Sequence, residues 1–262
     1  IRKKSKRIFY KKANNKMKVV LLLAGVGRRL NKMTINNHKA LIKLDDYSLL
    51  YHLIENILYA GLENILPIVG HCSEKIITCL NGEFSKPIIV NSIYNQYYRT
   101  RNNLYSLYCA REQLEGEEFI LCNGDIVFDR DILVKLIKME DLSAITIDDN
   151  IYSEPMDSPG IKINDGRIID LGRHIPFSEN EGYAIGIYKF NKILSRAFFD
   201  TAEDLLNRNM DAGFHDPLID LFKHHPIYKC SINACLWTDI DDQSDIEKAR
   251  AINNRVMSQY VG

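Results

Sequence analysis

Apolar residues follow two different rhythms along this chain. Residues 18–24 form a nearly unbroken run, Lys-Val-Val-Leu-Leu-Leu-Ala, that stops at Gly25. A continuous apolar run ended by glycine predicts a strand buried on both faces, as at the centre of a parallel sheet. Across residues 48–60 the spacing becomes helical, with Leu49, Leu50, Leu53, Ile54, Ile57 and Leu58 on one side and Gly61 as the stop. Strands then follow over 64–69, 87–90 and 118–122, and helices over 73–80, 103–114 and 129–139. This alternation predicts an α/β fold: a Rossmann-like, mostly parallel mixed sheet flanked by helices and joined by right-handed crossovers.

After Leu142 the alternation stops. Residues 143–148, 160–164, 167–171 and 183–190 resemble strands with no helix between them, and Asn164-Asp165-Gly166-Arg167 is a hairpin turn. Residues 142–190 are therefore expected to form an antiparallel insertion. Helices follow at about 191–207 and 216–224, a strand at 226–233, an extended piece at 237–240 and a last helix at 243–258. The sequence reads as a single domain over 17–262.

Composition is that of an ordinary soluble globule, and the formal net charge is zero. The charge is unevenly distributed, however. Residues 1–16 hold eight Lys or Arg and no acid, which leaves the rest of the chain acidic by eight. Such a tail can contact nucleic acid or a membrane surface. Without an apolar core to make it a signal peptide, it reads better as a disordered lead-in or linker, with Met17 a natural start. No run of eighteen apolar residues predicts a membrane span. The six cysteines include no Cys-x-x-Cys pair and mostly sit in apolar segments, which suits reduced thiols in a cytoplasmic protein. No nucleic-acid partner and no membrane insertion are expected. A homodimer or a longer polypeptide remains open.

The chemistry concentrates at the end of the first strand. In Ala24-Gly25-Val26-Gly27-Arg28-Arg29-Leu30 the glycines allow a tight turn and close backbone approach, so N–H groups can face phosphate oxygens. Arg28, Arg29 and the later Lys39 can neutralise phosphate charge. Two standard phosphate loops are excluded. The dinucleotide fingerprint needs a third glycine where Leu30 stands, and no Gly-Lys-Ser/Thr triplet makes a Walker A loop.

Asp125 follows an apolar strand and a glycine, so it is aimed at the sheet edge where α/β folds bind ligands. It reads either as a metal ligand or as a turn cap. Asp239 and Asp241 share a face in an extended stretch, and like carboxylates that close favour a nearby cation. Magnesium suits such oxygen ligands and bridges carboxylates to phosphates. Asp242 or Ser244 reads as the cap of the last helix, with Asp245 suited to its first turn. Tyr94, Tyr97 and Tyr98 can stack a base or simply pack. Tyr152, Glu154, Asp157 and Glu181 in the insertion offer acids beside aromatics for an ammonium group, or else form a polar loop. His215-Asp216 before Pro217 reads as a helix cap.

Together these segments resemble the sugar-phosphate nucleotidyltransferase superfamily. Leu22-Leu23-Ala24-Gly25-Val26-Gly27-Arg28-Arg29-Leu30 and Lys39-Ala40-Leu41 follow its Leu-Ala-Ala-Gly-x-Gly-x-Arg-Leu and Pro-Lys-x-Leu signatures, with Leu23 in place of an alanine and His38 in place of the proline. The first change is expected to tighten packing under the loop and the second to loosen it. Asn102-Asn103-Leu104-Tyr105-Ser106-Leu107, Cys122-Asn123-Gly124-Asp125 and Trp237-Thr238-Asp239-Ile240-Asp241 continue the likeness in order over residues 17–250. They look like the phosphocholine and aminoethylphosphonate cytidylyltransferase branch.

The resemblance implies a nucleotide held by Leu23, Ala24, Gly25, Val26, Gly27, Arg28, Arg29, Asn103 and Gly124. It implies Mg2+ on Asp125 with Asp241 or Asp239, Asp241 being favoured, and a catalytic set of Arg29, Lys39 and Asp125. It also implies an acceptor held by Lys39, Tyr152, Glu154 and Glu181. CMP would pass from CTP to phosphocholine or another small phospho-amino or phosphonate acceptor, with loss of pyrophosphate. The alternatives are a sugar-1-phosphate nucleotidyltransferase using another NTP, and an inactive nucleotide-binding subunit.

Overall fold

The computed structural model describes residues 17–150, 152, 156–232 and 235–258. The basic segment 1–16 and Glu154 lie outside the described residues.

The apolar run after Met17 becomes β1 (Lys18–Leu23), which pairs in parallel with β2 (Asn64–Val69). Two short strands, β3 (Ile89–Val90) and β4 (Ile93–Tyr94), line the outer edge of β2 in place of the expected strand over 87–90. On its other side β1 pairs in parallel with β5 (Phe119–Asn123). The chain then leaves the sheet to form β6 (Ile126–Phe128), three apolar residues too short to register as a strand by pattern.

The insertion supplies β7 (Ser143–Asp148), β8 (Gly160–Asn164), β9 (Arg167–Gly172) and β10 (Tyr183–Phe190). β10 runs antiparallel to both β5 and β7, and β8 and β9 form the expected hairpin, with Asp165 and Gly166 at positive φ in its turn. β11 (Ile227–Ser231) returns parallel to β7. The sheet is mixed, parallel around β1 and largely antiparallel beyond β5, in the order β3-β2-β1-β5-β10-β7-β11-β9-β8. β12 (Trp237–Asp239) stays outside it and pairs antiparallel with β6.

The helices are α1 (Leu49–Tyr59), α2 (Ser73–Leu80), α3 (Asn103–Tyr108), α4 (Arg111–Leu114), α5 (Asp131–Ile137), α6 (Lys192–Arg208), α7 (Asp216–Leu221) and α8 (Gln243–Ser258). The helix expected over 103–114 is broken in two. Around Ala110 the N–H groups reach back only three residues, Ala110 to Leu107 and Gln113 to Ala110, which tightens the turn.

Alternate residues of β1 explain why both sheet faces are covered. Val19, Leu21 and Leu23 pack with apolar residues of α1, α2 and α5, while Val20 packs with those of α3, α6 and α7. A third, smaller cluster joins Leu30, Ile42 and Leu44 to Val127 of β6 and to Ile240, Ile246 and Ala249. It holds the chain segments after β1, after β5 and after β12 against one another.

One buried polar hub fixes the insertion. Asp148 at the end of β7 is almost fully buried. Its carboxylate accepts from Trp237 Nε1 and Tyr152 Oη, both at 2.6 Å, and from the N–H and side-chain amide of Asn150. Asp148→Ala leaves the indole N–H of Trp237 buried without an acceptor and is expected to cost about 2–4 kcal/mol. Tyr152→Phe removes a donor from a half-buried ring and is expected to cost less than about 1 kcal/mol. Denaturant unfolding of the two variants checks the contrast; equal losses would remove Asp148 from this role.

Candidate active site

Three chain segments converge beyond the carboxyl ends of β1 and β5. The first is the loop after β1. Gly27 adopts φ +65°, Leu30 N–H donates to its carbonyl, and the Thr34 hydroxyl donates to the same oxygen at 2.9 Å. The turn exposes Gly25, Arg28 and Arg29 while burying Ala24 and Leu30. The second segment follows β5. A Cβ on Gly124 would lie 2.7 Å from the Leu22 carbonyl and would collide with the Leu23 side chain. Leu23 thus tightens the packing under the loop, and a glycine is needed opposite it. The third is β12, whose Asp239 sits opposite Ile126, and Ile240 N–H donates to the Asp125 carbonyl at 2.9 Å. This pairing brings Asp239 and Asp241 to Asp125.

The side chains there form a line of alternating charge. Lys39 Nζ binds the Asp125 carboxylate and lies 3.7 Å from Asp241. Arg29 pairs with Asp241 at 2.7 Å and with Asp157 at 2.9 Å, and Arg173 reaches the same Asp157 carboxylate at 3.2 Å. Arg28 instead donates to the Arg99 carbonyl. Burial alone would lower the Lys39 pKa, but Asp125, Asp241 and Asp239 outweigh it and hold the ammonium charged. Asp239 behaves in the opposite way. Burial, reinforced by Asp241 and Asp125, pushes its carboxyl up to about 6.

These acids also bear on a cation. Asp125 Oδ1 is buried and finds no hydrogen-bond partner among the described residues, and the Asp239 carboxyl, raised by burial and by Asp241 and Asp125, is one whose charged form a cation would favour. Among the described residues no three such side chains are placed to hold a metal by themselves. Magnesium, which is commonly bound by one or two carboxylates with phosphate oxygens completing its shell, fits this donor set. Asp242 and Asp245 have different work. Asp242 accepts from Ser244 N–H at the start of α8, and Asp245 accepts from the N–H groups of Asp241 and Asp242.

A cleft of about 270 Å³ opens beside this line, between Ala24, Gly25, Lys39, Gly124 and Asp125 and the segment 98–106. Asn103 lines it, and its side-chain oxygen accepts Phe214 N–H at 2.9 Å, tying in the loop before α7. Tyr98 also lines it, pressed so close to Gly70 that a Cβ there would lie 2.6 Å away. Tyr97 packs edge-on to Tyr105, and Tyr94 lies exposed.

The acceptor residues expected from sequence are less concentrated. Tyr152 is tied to Asp148, which with burial raises its pKa to about 12. The Glu181 carboxylate accepts Ile163 N–H at 2.6 Å and so secures the β8 edge. His215 stands at the N-cap position of α7 with Pro217 in the first turn, as expected, but its ring does not cap the helix: Nε2 meets the Tyr188 hydroxyl at 2.8 Å, and Asp216 accepts the Gly213 N–H.

His38 corrects the expectation that replacing proline loosens the loop. The ring is buried, Nδ1 accepts Ala40 N–H at 3.1 Å, and it hydrogen-bonds the Gly25 backbone. Burial, with Lys39 and His71 nearby, lowers its pKa to about 4, so the ring is neutral and can accept. Arg173 was not visible in the sequence, because a lone arginine after a strand has no periodic or motif signal.

Known proteins resemble this chain at low identity. CTP:phosphoglutamine cytidylyltransferase of Campylobacter jejuni is 26% identical over 255 residues, covering 88% of this chain and 98% of that protein. The bifunctional IPC transferase and DIPP synthase of Aquifex aeolicus is 25% identical over 233 residues, and this chain spans 50% of its length. Choline-phosphate cytidylyltransferase of Streptococcus pneumoniae is 36% identical over 104 residues, 40% of this chain and 43% of that protein. Among solved structures, the inositol-1-phosphate CTP transferase from T. maritima superposes with a TM-score of 0.77 at 18% identity, covering 93% of this chain and 97% of that one. Residues 19–156, more than half of the chain, match the MobA-like NTP transferase domain, and the chain belongs to that family.

Proposed function

We propose that this protein is a Mg2+-dependent cytidylyltransferase that moves CMP from CTP to a small acceptor bearing a phosphate or phosphonate and an amino group. The observation that carries the proposal is the line Arg29–Asp241–Lys39–Asp125 beside the Gly25 loop. Relatives named for cytidylyl transfer to phosphoglutamine, phosphocholine and 2-aminoethylphosphonate support the choice of CTP and of the acceptor class.

An acceptor oxygen attacks the α-phosphorus, the bond from that phosphorus to the β-bridging oxygen breaks, and pyrophosphate leaves with the electron pair. No general base is needed, because the acceptor oxyanion is already ionised near neutral pH. Both reactants are anions, so the protein's task is to offset repulsion and align them. Lys39 keeps its contact with Asp125 and turns its remaining N–H donors to oxygens of the transferring phosphate. Arg29 exchanges Asp157 for the departing β,γ-phosphates. The Gly25–Gly27 backbone presents N–H groups to the triphosphate. Bound to Asp125 with Asp241 or Asp239, Mg2+ would supply further charge neutralisation. Tyr152 and the neighbouring insertion face the acceptor's amino group.

Pyrophosphate release measured with each of four NTPs against phosphocholine, 2-aminoethylphosphonate and glucose 1-phosphate tests the proposal. CTP with an amino acceptor is expected to turn over, whereas turnover with the hexose phosphate alone would make this a sugar nucleotidyltransferase. Asp125→Asn is expected to lose at least about a hundredfold in kcat while keeping its fold. A near-normal rate would remove Asp125 from the chemistry.

The cation has a test apart from turnover. With a carboxyl raised from 3.8 to about 6, the folded state keeps a proton that the unfolded chain has released, so stability falls as pH rises across that window. Without divalent metal, Asp239→Asn is therefore expected to be more stable than wild type at pH 7.5, by an amount on the order of 2–3 kcal/mol, and equal to it at pH 3.5. Added MgCl2 is expected to raise the wild-type melting temperature at pH 7.5. Melts indifferent to both the variant and the salt would exclude a cation balanced by Asp239.

A further inference from the structure

The cleft beside Asp125 contains an amide that the protein itself does not use. Asn123, the last residue of β5, lines that cleft together with Leu22, Gly25, Lys39 and Asn103. Its backbone belongs to the sheet, paired with Leu22 of β1. Its side chain falls on the face covered by α3, because Leu121 packs on that face and Cys122 on the other. The side chain is half-buried, and its amide makes no hydrogen bond among the described residues and is not sealed off from the cleft.

The neighbouring strand is shaped to seat it. β10 pairs Ile187 with Cys122, which brings Gly186 beside Asn123. The register of β10 against β7 shifts between Ala184 and Tyr188, and Gly186 within that stretch adopts φ +90°. A Cβ on Gly186 would lie 2.6 Å from Asn123 Nδ2 and 3.1 Å from its Cγ. Bulges are frequent next to active sites, and a glycine inside a strand marks a close approach. Phe119, Ile120, Leu121 and Cys122 are all fully buried, so an apolar residue at 123 would simply extend the core of β5. An amide seated here, with a glycine making room for it, is left available to a ligand.

We propose that Asn123 holds the ribose of the bound nucleotide, exchanging hydrogen bonds with its 2′,3′-diol, so that the cleft selects ribonucleotides over deoxyribonucleotides. An amide offers both a donor and an acceptor, and a diol answers both. Distance decides between the parts of the nucleotide. Asn123 is two residues from Asp125, so their Cα atoms are at most about 7 Å apart. Asp125 and Lys39 mark the phosphates, and the unit joined directly to the α-phosphate is the ribose, with the base one ring further on. Deoxyribose leaves part of the amide unanswered in a half-buried place, which is expected to weaken binding about five- to tenfold. The assignment rests on the nucleotide site proposed above, and its test can fail separately from that site.

The experiment is calorimetric titration of CTP and of 2′-deoxy-CTP in MgCl2, with no acceptor present. Wild type is expected to bind CTP about five- to tenfold more tightly than the deoxynucleotide. Asn123→Ala is expected to weaken CTP, leave 2′-deoxy-CTP nearly unchanged and so bring the ratio near one. Asn123→Leu fills the same seat without a hydrogen-bonding group and is expected to lose the ratio while keeping the wild-type melting temperature. It therefore decides the matter even where the alanine variant is too unstable to titrate. Equal weakening of both nucleotides, or an unchanged ratio in the leucine variant, would overturn the assignment. So would a wild type that binds the two equally, and in each of these cases CTP binding by the wild type leaves the nucleotide site standing. A wild type that binds neither would overturn the site and the assignment together.

Discussion

The antiparallel pairing of β12 with β6 is the constraint on which the site depends. Asp125 and Asp239 lie more than a hundred residues apart, and three paired residues with one further backbone hydrogen bond bring them together. The apolar cluster of Leu30, Val127, Ile240 and Ile246 then holds the glycine loop to the same place. Three carboxylates gathered this tightly repel one another by energies on the order of several kcal/mol at an intermediate dielectric. Lys39 and Arg29 offset that repulsion, which is why the cations lie within the line of acids and not beside it.

The two cations are not equivalent. The Lys39 side chain is 18% exposed and its partner Asp125 is nearly as sheltered, whereas Arg29 and Asp157 are both more than half exposed. An exposed ion pair contributes little, about 0–1 kcal/mol, and yields readily to another anion. A sheltered pair is harder to break, because either partner left alone carries an unbalanced charge. The rim of the site thus exchanges partners easily, while its floor keeps a defined geometry.

Much of this architecture was legible in the sequence, and the exceptions have physical causes. β1, α1, β2 and α2 appear where apolar periodicity predicts them, because each buries a whole face. β6 and β4 were missed because two or three residues carry no periodicity. The break in the helix at Ala110 was missed because no glycine or proline marks it. In the site, the glycine loop, Lys39, Asp125 and the Asp239–Asp241 pair were visible as motifs, and the structure brings them to one edge. Arg173 depends on which loop it happens to face, and the engagement of Glu181 with Ile163 depends on strand register. Neither is written in local spacing.

His38 carries a consequence for how the lysine is positioned. A proline at that point would stiffen the backbone from within its own ring, whatever surrounds it. The imidazole instead borrows its rigidity from Ala40 on one side and Gly25 on the other. Lys39 is therefore tied to the glycine turn through its neighbour's ring, so a displacement of either half of the phosphate grip is passed to the other.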